Sequence, residues 1–368
     1  MMRWVILSFS MIFLMIVGIL AVHVQDFSED SKSQKTRVAV IMMGVRNDHN
    51  WNESHYDALE KVADHLNLEM AYYDNVPTDS MAKGIMEMAI EDGARIVICN
   101  SFGFGSVELA VAKKHPEVKF FHATGVQTAP NLLTYFGRIY QMRYLSGIVA
   151  GMKTKKNRIG YVASFNLSEV NRGINAFTLG VQRVNPDAKV YVSWSNSWID
   201  ESMASDATRE LLDKYDVDVM TVHVDAYSPY EIADKNNVWI IGYNRDNSDR
   251  FPRHFLTAPV WHWDAFYEPQ IRNVLRGRFE GKSYWLGDES GLVDLAPFTG
   301  NVSSETKYLV EQERKRLSDG FFDVFQGPIV DNHGVLRVEK GERMTDEDLL
   351  NHFDWYVQGV VDGIKPEE

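Results

Sequence analysis

Trp51 and Asn52 follow Asp48 in the polar stretch Gly44-Val-Arg-Asn-Asp-His-Asn-Trp-Asn-Glu53, directly after an apolar run. The pattern recurs along the chain. Phe102 lies in Asn100-Ser-Phe-Gly-Phe-Gly105, Trp198 in Ser195-Asn-Ser-Trp-Ile-Asp200, Asp225 in His223-Val-Asp225 and Asp246 in Asn244-Arg-Asp246. Ser164-Phe-Asn-Leu-Ser-Glu169 is a further segment of this kind. Aromatic rings sandwich the faces of a planar ligand, while carboxylates and amides hydrogen-bond along its edge. The set suits non-covalent capture of a planar, polar heteroaromatic molecule.

Each of these residues also has a purely structural reading. Asp48, Ser168 and Asp200 stand where helix N-caps are expected. Asp225 and Asp246 fit caps or ion pairs equally well. Trp51 and Trp198 could close an interlobe core, His122 and His223 could be satisfied strand-end histidines, and Gly103 and Gly105 suit a tight turn. Cys99, in Ala94-Arg-Ile-Val-Ile-Cys-Asn100, reads as a small core residue.

Catalytic signatures are missing. Phe102-Gly-Phe-Gly-Ser106 has Glu108 where a dinucleotide fingerprint needs its third glycine. The sequence has no GxxxxGK[ST], HExxH or G-x-S-x-G. Its one cysteine rules out an intramolecular disulfide and a CxxC site. No catalytic residue, cofactor or metal is expected. Asn-x-Ser occurs at Asn52, Asn166 and Asn301, a motif short enough to arise by chance.

The elements that must position the site residues alternate strand and helix. Expected strands are Arg37–Met43, Leu68–Tyr73, Arg95–Asn100, Lys119–His122, Ile159–Ser164, Lys189–Trp194, Val217–Val222 and Val238–Tyr243. Between them run helices Trp51–Leu66, Ser80–Asp92, Ser106–Lys114, Gln141–Lys153, Glu169–Val184, Glu201–Tyr215 and Tyr227–Lys235, with Trp263–Arg276 following and irregular pieces beyond. The strands are almost continuously apolar, as burial on both faces requires. This alternation predicts an α/β fold of two doubly wound parallel-sheet lobes. Ligands of such sheets sit at the carboxyl ends of the strands, and two facing lobes make a cleft of them. Lobe I is assigned to 37–156 and lobe II to 157–254, with the basic stretch Lys153-Thr-Lys-Lys-Asn-Arg158 at the boundary. Residues 255–368 are read as crossover and C-terminal elements shared between the lobes.

The 368 residues carry a net charge of −13, which argues against nucleic acid as a partner. Arg3 precedes the apolar run Trp4–Val24, so 1–24 reads as a signal peptide or an N-terminal membrane anchor, with 25–36 a polar spacer. Either reading places the body outside the cytoplasm, membrane-anchored or secreted. No cysteine follows the run, so a lipoprotein anchor is not expected.

An ordered set of segments resembles the basic membrane protein family of ABC-transporter substrate-binding proteins. They are Ser101-Phe-Gly-Phe104, His122-Ala-Thr-Gly125, Tyr135 to Gly147, Glu169 to Gly180, Asn196-Ser-Trp-Ile-Asp200, His223-Val-Asp225, Asp246, Trp263, Glu289-Ser-Gly-Leu-Val293, Pro297-Phe298 and Gly327-Pro-Ile329. The likeness runs from Arg37 to about Gly363 and is greatest to members associated with purine nucleobases such as adenine. It implies a type I periplasmic-binding-protein-like clamp that binds a purine nucleobase or nucleoside in its interlobe cleft and docks on a membrane permease. It further implies that Trp51 and Trp198 stack on the base, with Asn52 beside Trp51 in the first loop. Phe102 borders the pocket, Asp246 binds the purine edge with Asp225 nearby, and Trp263 closes the cleft. A sugar-binding protein and a membrane-tethered sensor using the same clamp are the alternatives. An enzyme such as a nucleoside hydrolase would need a carboxylate cluster or a placed general acid, and the sequence shows neither.

Overall fold

The computed structural model describes residues 35–362, so the N-terminal segment 1–24 and the spacer as far as residue 34 lie outside it. The chain opens with β1 (Arg37–Ile41), α1 (Trp51–Leu66), β2 (Glu69–Tyr73), α2 (Ser80–Glu91), β3 (Ala94–Cys99), α3 (Gly105–Lys114), β4 (Lys119–Ala123), β5 (Leu132–Gly137) and α4 (Tyr140–Lys153). It continues with β6 (Arg158–Ala163), α5 (Ser168–Val184), β7 (Lys189–Trp194), α6 (Glu201–Tyr215), β8 (Val219–His223), α7 (Ser228–Lys235), β9 (Trp239–Ile241) and β10 (Phe255–Thr257). The last part holds β11 (Pro259–Trp261), α8 (Asp264–Leu275), β12 (Ser283–Leu286), β13 (Val293–Leu295), α9 (Ser304–Ser318), β14 (Ile329–Val330), β15 (Leu336–Val338), α10 (Asp346–Asn351) and β16 (Val360–Asp362).

Two six-stranded parallel sheets result, in the orders β12-β5-β4-β3-β1-β2 and β10-β9-β8-β6-β7-β16. The first takes its edge strand β12 from the last third of the chain, and the second takes both of its edges, β10 and β16, from there. The central strands are buried along their length, which is why they read as continuous apolar runs.

The helix α4 departs from its expected place. It packs along α5 and touches β8, β9, β11 and β13, so it belongs with the second sheet. The chain first crosses between the lobes near Arg138, ahead of the basic stretch read as the boundary. Small residues explain the packing: a Cβ at Gly147 would fall onto the Phe177 carbonyl, and one at Gly180 onto the Tyr144 carbonyl. Two backbones this close need glycine at the contact. The region beyond α8 is also more regular than expected. The helix α9 is rich in charge, so it lacks a broad apolar stripe, but Ser303 caps it and Glu313 anchors Tyr144, Arg183 and Arg316.

An aromatic cluster joins the lobes. Trp261 and Trp263 stack at 4.5 Å, His55 stacks on Trp263 at 4.3 Å, and Trp51 meets both tryptophans edge-on. Tyr267 accepts or donates to His55 Nδ1 at 2.7 Å and to the Tyr135 hydroxyl at 2.5 Å. These rings come from α1, β5, β11 and α8, so packing free energy here fixes the lobes' common hinge. Polar contacts add to it. Arg245 pairs with Glu53 at 2.6 Å and Asp57 at 3.0 Å, and Asn50 Nδ2 donates to the Val224 carbonyl at 3.3 Å.

Candidate ligand site

A cavity opens between the carboxyl ends of the two sheets, where folds of this kind hold their ligands. Its lining from the first lobe is Met43, Trp51, Asn100, Ser101, Phe102 and Thr124. The second lobe adds Glu169, Trp198, Asp225, Tyr243 and Asn244.

The first wall is held by one hydrogen-bonded chain. The Asp48 carboxylate accepts the N–H groups of Asn50, Asn52 and Glu53, so it satisfies the open N-terminus of α1. It also takes Asn52 Nδ2 at 2.7 Å, which turns the Asn52 carbonyl to Asn100 Nδ2 at 2.8 Å. Trp51 Nε1 donates to the Asn100 carbonyl at 2.8 Å. The indole plane of Trp51 is thus set by the β1 and β3 loops together. Phe102 stands on the short turn before α3 with 64% of its surface exposed, at the cavity mouth.

The second wall carries the charge. Asp225 Oδ1 accepts Asn244 Nδ2 at 2.8 Å, and Asn244 Oδ1 accepts Trp261 Nε1 at 2.8 Å. The hinge tryptophan therefore orients the amide, and the amide holds the carboxyl. Burial, with the nearby Asp48 and Glu169 carboxylates, pushes Asp225 well above the usual carboxylate range. Glu169 sits in the first turn of α5, 3.7 Å from His223 Nε2. Burial works to raise its pKa, but His223, Arg172 and Arg143 outweigh it and hold the carboxyl below its ordinary value. The helix N-terminus favours the same charged form. Arg143 is fully buried, donates to the Val222 carbonyl at 2.9 Å and lies 3.8 Å over the Tyr243 ring. Trp198 rests edge-on against Phe165 and His223, and its carbonyl accepts the Asp225 N–H at 2.7 Å.

Of the residues singled out in the sequence, Trp51, Phe102, Trp198 and Asp225 border this cavity. Asn52 lies behind the wall, buried between Asp48 and Asn100. Trp263 is wholly buried, donates to Ser54 Oγ at 3.1 Å and backs Trp51 from the hinge. Asp246 is elsewhere: exposed, it accepts the Ser248 N–H in a local turn and borders a separate groove with Asp57, His262 and Asp294. Five residues beyond the end of β9, the chain has already turned away from the cleft. Met43, Asn100, Ser101, Thr124, Glu169, Tyr243 and Asn244 line the cavity without having been singled out. Most lie in the same strand-end loops, and the signal that could have found them is position within the loop, one or two residues past the strand. Among the described residues no group of His, Cys, Asp and Glu is placed to hold a metal ion, and no helix is long and apolar enough to cross a membrane.

Comparison with known proteins agrees with this architecture. The chain is 35% identical over 331 residues to a purine-binding protein of Brucella abortus, covering 89% of this chain and 94% of that one. It is 32% identical to a putative ABC transporter glucose-binding protein of Haloferax volcanii, covering 92% and 84%. Its fold superimposes on an ABC transporter solute-binding protein from Aeropyrum pernix with a TM-score of 0.69 at 17% identity, covering 82% and 94%. Residues 35–321 match the Bmp family, described as ABC transporter substrate-binding protein PnrA-like. Two parallel-sheet lobes around a cleft, and a family match over most of the chain, make this protein a member of the Bmp family of ABC transporter substrate-binding proteins.

Proposed function

We propose that this protein captures a purine nucleobase or nucleoside, adenine-like by preference, outside the cytoplasm and delivers it to a membrane ABC permease without altering it. The N-terminal apolar run serves as export signal or anchor in this reading. The observation that carries it is the cavity between the sheets. One tryptophan from each lobe, Trp51 and Trp198, flanks a carboxyl, Asp225, that an amide holds in place. Stacking rings fix the plane of a base and the carboxyl reads its edge, while Phe102 covers the mouth. Asn52 and Trp263 act at one remove, by setting Trp51. The kinship with a purine-binding relative supports the same ligand class. Edge recognition falls to Asp225 in place of Asp246, since Asp246 borders the other groove.

A sugar is the second reading, favoured by the glucose-binding relative, because sugars also stack on tryptophan and bond to carboxylates. A thermal-shift screen of the purified protein separates the two. A ligand at 100 times its Kd stabilises the fold by about 2.7 kcal/mol. The expected result is a raised melting temperature with adenine or another purine and none with glucose. A shift with glucose alone would replace the purine reading with the sugar one.

A further inference from the structure

Hydrogen-bond donors on the cavity lining are largely committed to the protein itself. Trp51 Nε1 donates to the Asn100 carbonyl, Asn100 Nδ2 to Asn52 Oδ1, and Asn244 Nδ2 to Asp225 Oδ1, each at 2.8 Å. The Thr124 hydroxyl donates to the Ala123 carbonyl at 2.6 Å and that of Ser101 to Met43 Sδ at 3.6 Å. Among the described lining side chains, the second N–H of the Asn100 and Asn244 amides, the Tyr243 hydroxyl and the Trp198 N–H remain, besides the Asp225 carboxyl. Among the described residues no lysine or arginine lines the cavity, so it brings no cation to a phosphate.

Acceptors are different. Glu169 reaches the cavity from the first turn of α5, and His223 Nε2 lies 3.7 Å from its Oε1, longer than a good hydrogen bond. Arg143 and Arg172, both buried behind the wall, keep negative charge favourable there without reaching the ligand space. The cavity therefore presents a carboxylate open to a ligand's donors. A ligand carbonyl set against Glu169 would meet like partial charge, whereas an amino group would satisfy it.

We propose that Glu169 is the specificity-determining residue of this site: its carboxylate accepts an N–H from an exocyclic amine, so the cavity takes an aminopurine in preference to the corresponding oxopurine. This rests on the purine reading of the cavity. The buried cations are positioning residues that hold the carboxylate ready.

Isothermal titration of adenine and of hypoxanthine into the whole protein, wild type and Glu169→Gln, tests it. Glutamine keeps the volume but trades one acceptor for a donor. Wild type is expected to prefer adenine. Glu169→Gln should weaken adenine roughly 10- to 100-fold, as loss of a charged hydrogen bond implies, while hypoxanthine holds or tightens, so the preference narrows or inverts. Glu169→Asp keeps the charge and should keep the preference at lower affinity for both bases, which guards against a Gln variant that fails to fold. An unchanged adenine-to-hypoxanthine ratio in Glu169→Gln, or a lost preference in Glu169→Asp, overturns the proposal and leaves purine binding standing. A wild type that binds neither base overturns the purine reading and this proposal with it.

Discussion

Both lobes set a histidine at a strand end against a glutamate on a helix. In the first, His122 Nδ1 lies 3.6 Å from Glu108 Oε2; in the second, His223 Nε2 lies 3.7 Å from Glu169 Oε1. The surroundings give the two pairs opposite characters. Glu108 is sealed inside α3 with no oxygen or nitrogen donor to its carboxyl among the described residues and the Cys99 thiol beside it, and burial drives the carboxyl well above the usual range, toward the neutral acid. Glu169 opens onto the cavity with Arg143 and Arg172 close by, and its carboxyl is held low and charged. The same two residue types therefore make a neutral scaffold in one lobe and a charged recognition element in the other. What decides is whether cations and ligand space stand near the glutamate. The cleft repeats the division, with amides and rings on the first wall and both carboxyls on the second.

The largest way to break this contrast is Arg143→Met. It strips the second lobe of a buried cation and leaves Glu169 nearer the condition of Glu108. Loss of a partner from a buried charge network costs roughly 3–5 kcal/mol, which should appear as a lower melting temperature and a weaker ligand response together. A variant as stable as wild type would show that the cation does not underlie the charged wall.

Acid should expose the second lobe next. Burial, then Arg143 and Arg172, push His223 down from 6.5 to about 4, with Glu169 opposing them. The unfolded chain thus takes up a proton that the folded chain refuses. The stability at stake is intact above pH 6.5 and is lost as pH falls toward 4, by up to roughly 3 kcal/mol. Burial lowers His122 in the same direction, so the test is a comparison of slopes. Denaturant melts between pH 7 and 4 should fall less steeply for His223→Gln than for wild type, and equal slopes would remove His223 as the cause.

Trp198→Ala sharpens the comparison from the ligand side. Loss of one stacking face should weaken base binding by roughly 1–3 kcal/mol, by analogy with base–aromatic stacking. Titration calorimetry checks it, and affinity equal to wild type would take Trp198 out of the site. Glu108→Gln should do least. With its carboxyl already neutral when folded, the amide should change stability by under about 1 kcal/mol at pH 4. Folding raises the Glu108 pKa, so its protonated form stabilises below 4.5 and that contribution is lost as pH rises through the raised folded value. The variant should therefore compare more favourably with wild type at pH 7 than at pH 4. A large loss at both would mean that the carboxyl serves a bond that glutamine cannot replace.

Local signals carried much of the architecture. The bounds read from the sequence for β7 and α6 coincide with those in the structure, because buried strands and capped amphipathic helices each leave a period in the sequence. The edge strands β12 and β16 did not announce themselves, although the edge strand β2 did. β12 and β16 are four and three residues long and join β5 and β7 from far along the chain, so only the partner sheet makes them strands. The site was legible as a set of loops and less so as residues. Trp51, Phe102, Trp198 and Asp225 stand at strand ends and border the cavity, whereas Asn244 does and its near neighbour Asp246 does not.

The sequence by itself determined that this chain forms two successive β/α units, that its polar loops follow the strands, and that it bears the ordered motifs of its family. Those depend on periodicity, turn residues and residue order, all local. Only the tertiary structure decided that α4 belongs to the second lobe, since that rests on glycines of two helices meeting face to face. It alone separated Glu169 from Glu108 too. A carboxyl's charge is set by what surrounds it within a few ångströms, and Arg143 comes to Glu169 from another helix, 26 residues earlier in the chain, with no mark in the local sequence.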